Sequence, residues 1–271
     1  MGIAIVVPVV VIILLLSFRG ESGAADTTGT PPVPAESLYR QLPNDSFGPG
    51  EYLKFSVGYG FVTAGTATLE VRDTSTYNGA LCFEIYSETN SNKFFDGFYK
   101  VRDTIVCQFD ADGLFSHYFF KALHEGSYHS SREISLDYKQ RRAITQKGQD
   151  HIDTVAISAF SQDVMTAFYY IRTLPLEVGK TVQLNYVDHD SATVMDVRIL
   201  KRETVDVPAG RFNCIVVEPM LQAAGVFKQE GEVKVWLTDD RLKMPVLMKS
   251  KVLVGSIHAE LVEFKLGNLN W

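Results

Sequence analysis

Three pairs of residues have the types and spacings that chemistry uses. Asp239 and Asp240, in "EVKVWLTDDRLKMPVLMKSKV", could share a proton or a divalent cation; His124 and His129, in "HEGSYH", could ligate zinc; Gly60 and Gly65, in "GFVTAGTA", have the separation of a phosphate-binding loop. Each pair fails on context. The histidines are five residues apart, so on a helix they would diverge, and Gly126 opposes a helix between them. Thr66 stands where a phosphate loop needs Lys, and no helical pattern follows; the glycines read as a bend between two strands. "DHDS", Asp188 to Ser191, starts like a calcium loop but lacks the Gly and Glu required downstream, and reads as a turn. No GxSxG elbow occurs. For the two aspartates, Val233, Val235 and Leu237 take one strand face and a second strand resumes at Pro245. Asp239 to Met244 is then a loop, in which an Asp fixes the turn by accepting from the backbone two residues on.

Asp103 has no such explanation. It shares a strand face with Tyr99, Val101, Ile105, Cys107 and Phe109, where an unpaired charge would cost several kcal/mol. It needs a partner: either an ion pair or backbone bond that fixes strand register, or a role in ligand binding or acid/base work with a raised pKa. Glu218, in line with Phe212, Cys214 and Val216, raises the same question more weakly. Aromatic residues cluster at Phe94, Phe95, Phe98 and Tyr99, at Tyr118, Phe119 and Phe120, and at Phe168, Tyr169 and Tyr170. Consecutive aromatics on a strand face both sides, so one face is either covered or open as an apolar binding surface. The candidate ligand site drawn from these patterns is Phe94, Phe95, Tyr99, Asp103, Tyr118 and Phe120.

The elements that must position these residues are mostly strands. Leu53, Phe55, Val57 and Tyr59 alternate with polar or small residues; Ala67, Leu69 and Val71 do likewise, as do Leu81, Phe83 and Ile85. The pattern continues to the C-terminus, broken by turns at "TYNGA", "DADG", "DHDS" and "VPAG". One segment differs: in "FSQDVMTAFYYIRTLP", Val164, Ala167, Phe168 and Ile171 recur at helical spacing, Ser161 is the expected cap, Asp163 sits in the first turn and Pro175 ends it. The expected fold is mainly β, a curved antiparallel sheet or partly open barrel, with one internal helix over roughly 160–173.

With 46% hydrophobic and 21% charged residues in 271, the chain has the composition of a globular protein, and its net charge of −6 argues against a nucleic-acid partner. Ile3 to Leu16 is almost continuously apolar and precedes the small-residue patch Ser22-Gly23-Ala24-Ala25. The run is short of the ~20 residues that span a bilayer, so residues 1–25 read as an export signal cleaved after Ala25, with an uncleaved anchor as the alternative. No Cys follows the run, against a bacterial lipoprotein. Residues 26–46, rich in Pro, Thr and Ser, read as a flexible linker, and 47–267 as a single β-rich domain. Strand parity places Cys107 and Cys214 inside the sheet and Cys82 outside, so all three cysteines are expected to be free despite export.

"FGPGEYLKFSVGYGFVTAGTATLEV", "FYKVRDTI", "VPAGRFNC" and the Asp239–Asp240 stretch continued to "GSIHAELVEF" together resemble exported bacterial proteins of domain of unknown function 3108, over about Phe47 to Lys265. The matches at Gly50-Glu51, Gly65, Arg102-Asp103, Gly210, Trp236, Asp240 and Pro245 mark its pattern. The resemblance implies a mostly antiparallel β protein of the cell envelope, in the periplasm or on the outer face, without an assigned activity. "VWLTDD....PV" is more loosely similar to a hairpin of periplasmic lipoprotein carriers. The functional expectation is a non-catalytic role in which an apolar or amphipathic envelope molecule, such as a lipid, is held on a sheet face, with peripheral membrane association. No cofactor or metal is expected. A hydrolase with an unrecognised site and a structural or assembly protein of the envelope are the alternatives, and oligomeric state is not legible.

Overall fold

The structure is a computed structural model that describes residues 39–148, 151–188, 190–220, 233–251 and 256–269. The expected export signal and the first part of the expected linker lie outside these residues. The period of two becomes an antiparallel meander. Its first half runs β1 Glu51–Tyr59, β2 Val62–Tyr77, β3 Ala80–Ser91, β4 Arg102–Asp110, β5 Ser116–Glu125, β6 Tyr128–Asp137, β7 Arg142–Lys147 and β8 His151–Ala156. After a helical segment come β9 Thr181–Val187, β10 Ala192–Val207, β11 Gly210–Met220, β12 Val233–Thr238, β13 Pro245–Lys251 and β14 Ser256–Lys265.

β14 pairs with β1, which joins the two halves into one 14-stranded sheet with β8 and β9 at its edges. Register shifts, as between Val71 and Thr74 and between Ile199 and Lys201, bend the long strands β2 and β10. The result is a curved, partly open barrel, mainly β as the alternation predicts. One end, here the base, carries the β2–β3, β4–β5 and β12–β13 turns. The other, the rim, carries the β1–β2 and β5–β6 turns. Across the open side, Ser116 N donates to Ser161 O at 3.0 Å and Gln162 N to Asn185 O at 2.8 Å, so the connector before the helix stitches β5 to β9.

The internal helix, α2, is Val164–Tyr170, continued by a 3-10 turn over Ile171–Thr173. Val164, Met165, Thr166, Ala167 and Tyr169 are all buried. Burial on nearly every side is what a helix inside a barrel requires. Its cap is Asp163, not Ser161: the Asp163 carboxylate accepts from Met165 N and Thr166 N, and Thr166 Oγ1 closes a capping box. Ser161 Oγ instead donates to Ser158 O. A second, short helix, α1 Lys93–Asp96, was not expected. Asn92 caps it by accepting from Phe95 N.

The core is anchored by Phe47, stacked on Phe109 and meeting Phe83 and Tyr169 edge-on, at centroid distances of 4.9–6.0 Å. Contacts with the domain start earlier than Phe47. Arg40 donates to Gly113 O (2.7 Å) and Leu114 O (2.8 Å), and its guanidinium lies 4.2 Å from the Phe160 ring. All three cysteines are free and buried. Cys82 corrects the parity argument that put it outside. It lies on the face opposite Phe83 yet has no exposure, flanked in register by Ser75 of β2 and Asp110 of β4, with its thiol donating to Ala80 O.

Candidate functional site

Inside the barrel, between α2 and the inner faces of β1 to β3 and β9 to β14, lies an apolar cavity of about 80 Å³. Met165, Ala167 and Phe168 form its helical wall, while Phe55, Leu69, Met195, Val217, Met248 and Ala259 are among the strand residues facing them. Small side chains at Ala67, Ala167 and Ala259 leave the space, and unbranched Met side chains make its walls adaptable. Thr89 and Tyr186 are the lining residues that bear polar side-chain atoms. A cavity lined this way offers almost nothing to hydrogen-bond a water.

Next to Thr89 the inner wall turns polar. Asp103 pairs in register with Thr89, which pairs with Ala67, so the three form one row across the barrel. The Asp103 carboxylate is buried; Oδ1 accepts from His124 N at 2.9 Å, while Oδ2 has no hydrogen-bond partner. Burial raises its pKa, opposed by the His124 amide and by the charges of His124 and Lys121. The partner that the sequence demanded is therefore a backbone amide of the neighbouring strand. In the adjoining row, Ser87, Ile105, Lys121 and Arg132 follow one another across β3, β4, β5 and β6. Lys121 is 4% exposed, and burial followed by the Arg132 charge holds its ammonium down to about 8.

At the base, a second set of buried charges is fully paired. Arg172 donates through Nη1 to Glu51 Oε1 (2.7 Å) and through Nη2 to Glu51 Oε2 (2.8 Å). It also reaches Ser46 O and Leu242 O, between the rings of Phe47 and Tyr169. This bidentate pair ties the end of α2 to β1, the N-terminal segment and the β12–β13 loop. Above it, Asp163 Oδ2 accepts from Ser116 Oγ at 2.6 Å, and the Cys107 thiol lies 3.6 Å from Oδ1. Burial and the Asp163 charge push that thiol well up, away from the reactive thiolate.

The pairs that opened the sequence reading resolve into turns and hairpins. Asp240 Oδ1 accepts from Leu242 N, Lys243 N and Thr238 Oγ1, the turn-fixing geometry expected of the loop. Asp239 pairs outward with Arg202 at 2.8 Å. His124 and His129 face each other across the β5–β6 hairpin, ring centroids 5.0 Å apart. Among the described residues no group of three His, Cys, Asp or Glu side chains is placed to hold a metal. Gly65 serves packing, since a Cβ there would lie 2.2 Å from Asn90 O.

The six residues expected to form a ligand site are not brought together, and none of them lines the cavity. Phe94 is 67% exposed on α1 with Phe95 packed edge-on beside it, and Tyr99 reaches Glu125 at the rim. Tyr118 and Phe120 alternate with buried Phe119 and so sit on the outer face of β5. Asp103 alone faces inward, beside the cavity's Thr89. Lys121 was missed, although it breaks the apolar face of Phe119 and Leu123 as Asp103 breaks that of β4.

Among solved structures, a beta-barrel-like protein of domain of unknown function DUF1849 from Brucella abortus superposes with a TM-score of 0.54 at 10% identity, covering 82% of this chain and 100% of that one. At that identity the likeness shows the fold alone. A Parabacteroides distasonis protein described provisionally as a lipoprotein (TM-score 0.36, 11% identity, 84% of this chain and 100% of that one) is more distant. So is a Bacteroides fragilis protein described, also provisionally, as exported with a YmcC-like fold (0.34, 14%, 83% and 99%). No curated protein matches the sequence. The model of the family described as protein of unknown function (DUF3108) matches residues 54–262, most of the chain, and the chain belongs to that family.

Proposed function

We propose that this is a non-catalytic binding protein of the bacterial cell envelope, which holds an apolar chain in the cavity between α2 and the sheet. The observation that carries the reading is the cavity itself: apolar, adaptable, and walled by the one helix the barrel encloses. The N-terminal apolar run supports export, to the periplasm or the outer face, where such a chain would come from a lipid or another envelope molecule and where the protein would associate peripherally with a membrane. Its room is modest and its Met-lined walls adaptable, which favours one alkyl chain or one slender aromatic group over a branched guest.

Titration with the neutral fluorescent probe N-phenylnaphthylamine tests the reading, alongside native mass spectrometry for a retained lipid-like mass. The full chain should bind the probe with a blue-shifted emission. Ala167→Phe and Ala259→Phe place a ring in the space and should each weaken binding at least about tenfold, with an unfolding midpoint no lower than the parent's. Probe affinity unchanged in both variants would refute the assignment.

A further inference from the structure

We infer that the polar wall beside Thr89 is the headgroup end of the same site, and that the guest is a single-chain anionic amphiphile whose carboxylate or phosphate is received by Lys121 and Arg132. The inference rests on the cavity reading and names the ligand class.

The barrel wall itself supplies the argument. The row Asp103, Thr89, Ala67, Phe55 runs from the polar patch into the cavity lining without a break. One step along the strands, Lys121 and Arg132 stand directly opposite each other in register, two cations on one interior face. Like charges so placed repel, and a native wall keeps them only with compensation. Among the described residues neither forms an ion pair. Asp103 and Lys121 are diagonal neighbours, but one Asp103 oxygen is committed to the His124 amide. Glu125 reaches Tyr99 at 3.4 Å, and Asp188 has contacts of its own.

Unmet hydrogen-bonding groups cluster on the same wall. Ser87 Oγ, Asp103 Oδ2, Thr145 Oγ1 and Arg132 Nε are buried without partners. Buried polar groups are rarely left so, and the three of these that can donate, Ser87 Oγ, Thr145 Oγ1 and Arg132 Nε, mark a missing acceptor. Ser87 lies in the Lys121 row, and Thr145 pairs with Ile134, two residues along β6 from Arg132. Burial, with the Arg132 charge, lowers the Lys121 pKa against the opposing charges of Asp188, Asp103 and Glu125. An anion placed here would accept from Lys121 Nζ, Arg132 and the two hydroxyls, with its chain directed past Thr89 into the apolar space.

Competition against N-phenylnaphthylamine on the full chain tests this with dodecanoate, dodecyl phosphate and the neutral dodecanol. Both anions should displace the probe at least about tenfold more effectively than dodecanol. Acetate and inorganic phosphate, free anions without a chain, should not displace it. Lys121→Met and Arg132→Met should each bring the acid-to-alcohol ratio close to one while keeping probe affinity. A parent protein that treats dodecanoate and dodecanol alike, or a preference that survives both substitutions, overturns the headgroup assignment and leaves the cavity reading standing. Absence of probe binding in the parent would remove both.

Discussion

Among the described residues Arg172 is the largest side chain with no exposure, and its contacts fix several different parts of the chain. Removing either partner of its ion pair leaves an uncompensated buried charge, so Arg172→Met and Glu51→Gln should each cost about 3–5 kcal/mol in urea unfolding. The double substitution with apolar residues should recover much of that loss. Lys121 behaves in the opposite sense. Its pKa of about 8 in the fold lies below the 10.5 of a free lysine, so between these values the unfolded chain binds more protons and stability rises with pH. Below that window the buried ammonium costs about 3 kcal/mol. Lys121→Met should therefore stabilise the protein near neutral pH and flatten the rise in the urea midpoint on going to alkaline pH; a midpoint lowered by the substitution at neutral pH would contradict the burial argument. Asp240, by contrast, was legible from its loop position alone, and Asp240→Ala should cost only about 1 kcal/mol and leave probe binding intact.

Strand existence was readable because the apolar alternation has period two wherever one face meets the core, from Leu53 in β1 to Leu261 in β14. Helix α2 was readable for the same reason at period 3.6. Its cap was misplaced because a sequence offers both Ser161 and Asp163, and only tertiary contacts choose between them. Ser116, from a strand far off in sequence, donates to Asp163 and holds that carboxylate at the helix start. α1 escaped notice because four residues are too few to show a helical period, and its two aromatics, Phe94 and Phe95, are not buried. The glycine bend was read correctly as a bend, but its reason is spatial: β2 approaches the end of β3 so closely at Gly65 that no Cβ fits. Gly65→Ala should force the β2 and β3 backbones apart beside the cavity. A loss of about 1–3 kcal/mol is expected, larger than the usual propensity difference for a strand glycine. Amide exchange should show the loosening centred on Asn90 and Ser91.

At the scale of the whole molecule, the polar end of the candidate site is a row of side chains from the consecutive strands β3 to β6, aligned by strand register and not by any local spacing. Ser87 and Arg132 look unremarkable alone, and Lys121, which breaks an apolar face, gains its meaning only beside them, so the aromatic clusters drew attention first. The order of the sheet also sets where the fold should be weakest. β8 pairs on one side only and exposes most of its residues, whereas β1 and β14 lie mid-sheet between partners and carry the core. Amides that open most readily belong to elements with few buried contacts and solvent-exposed hydrogen bonds. Native-state hydrogen exchange should thus show His151–Ala156 opening well below the global unfolding free energy, with β1 and β14 exchanging only through global unfolding. The polar side chains of His151 and Asp153, in contact with each other on the same strand, suit an edge that stays unpaired. Protection of β8 equal to that of β1 would mean that the edge is covered in solution, and a strand edge is most directly covered by the same edge of a second copy; sedimentation of the same sample would then show a dimer.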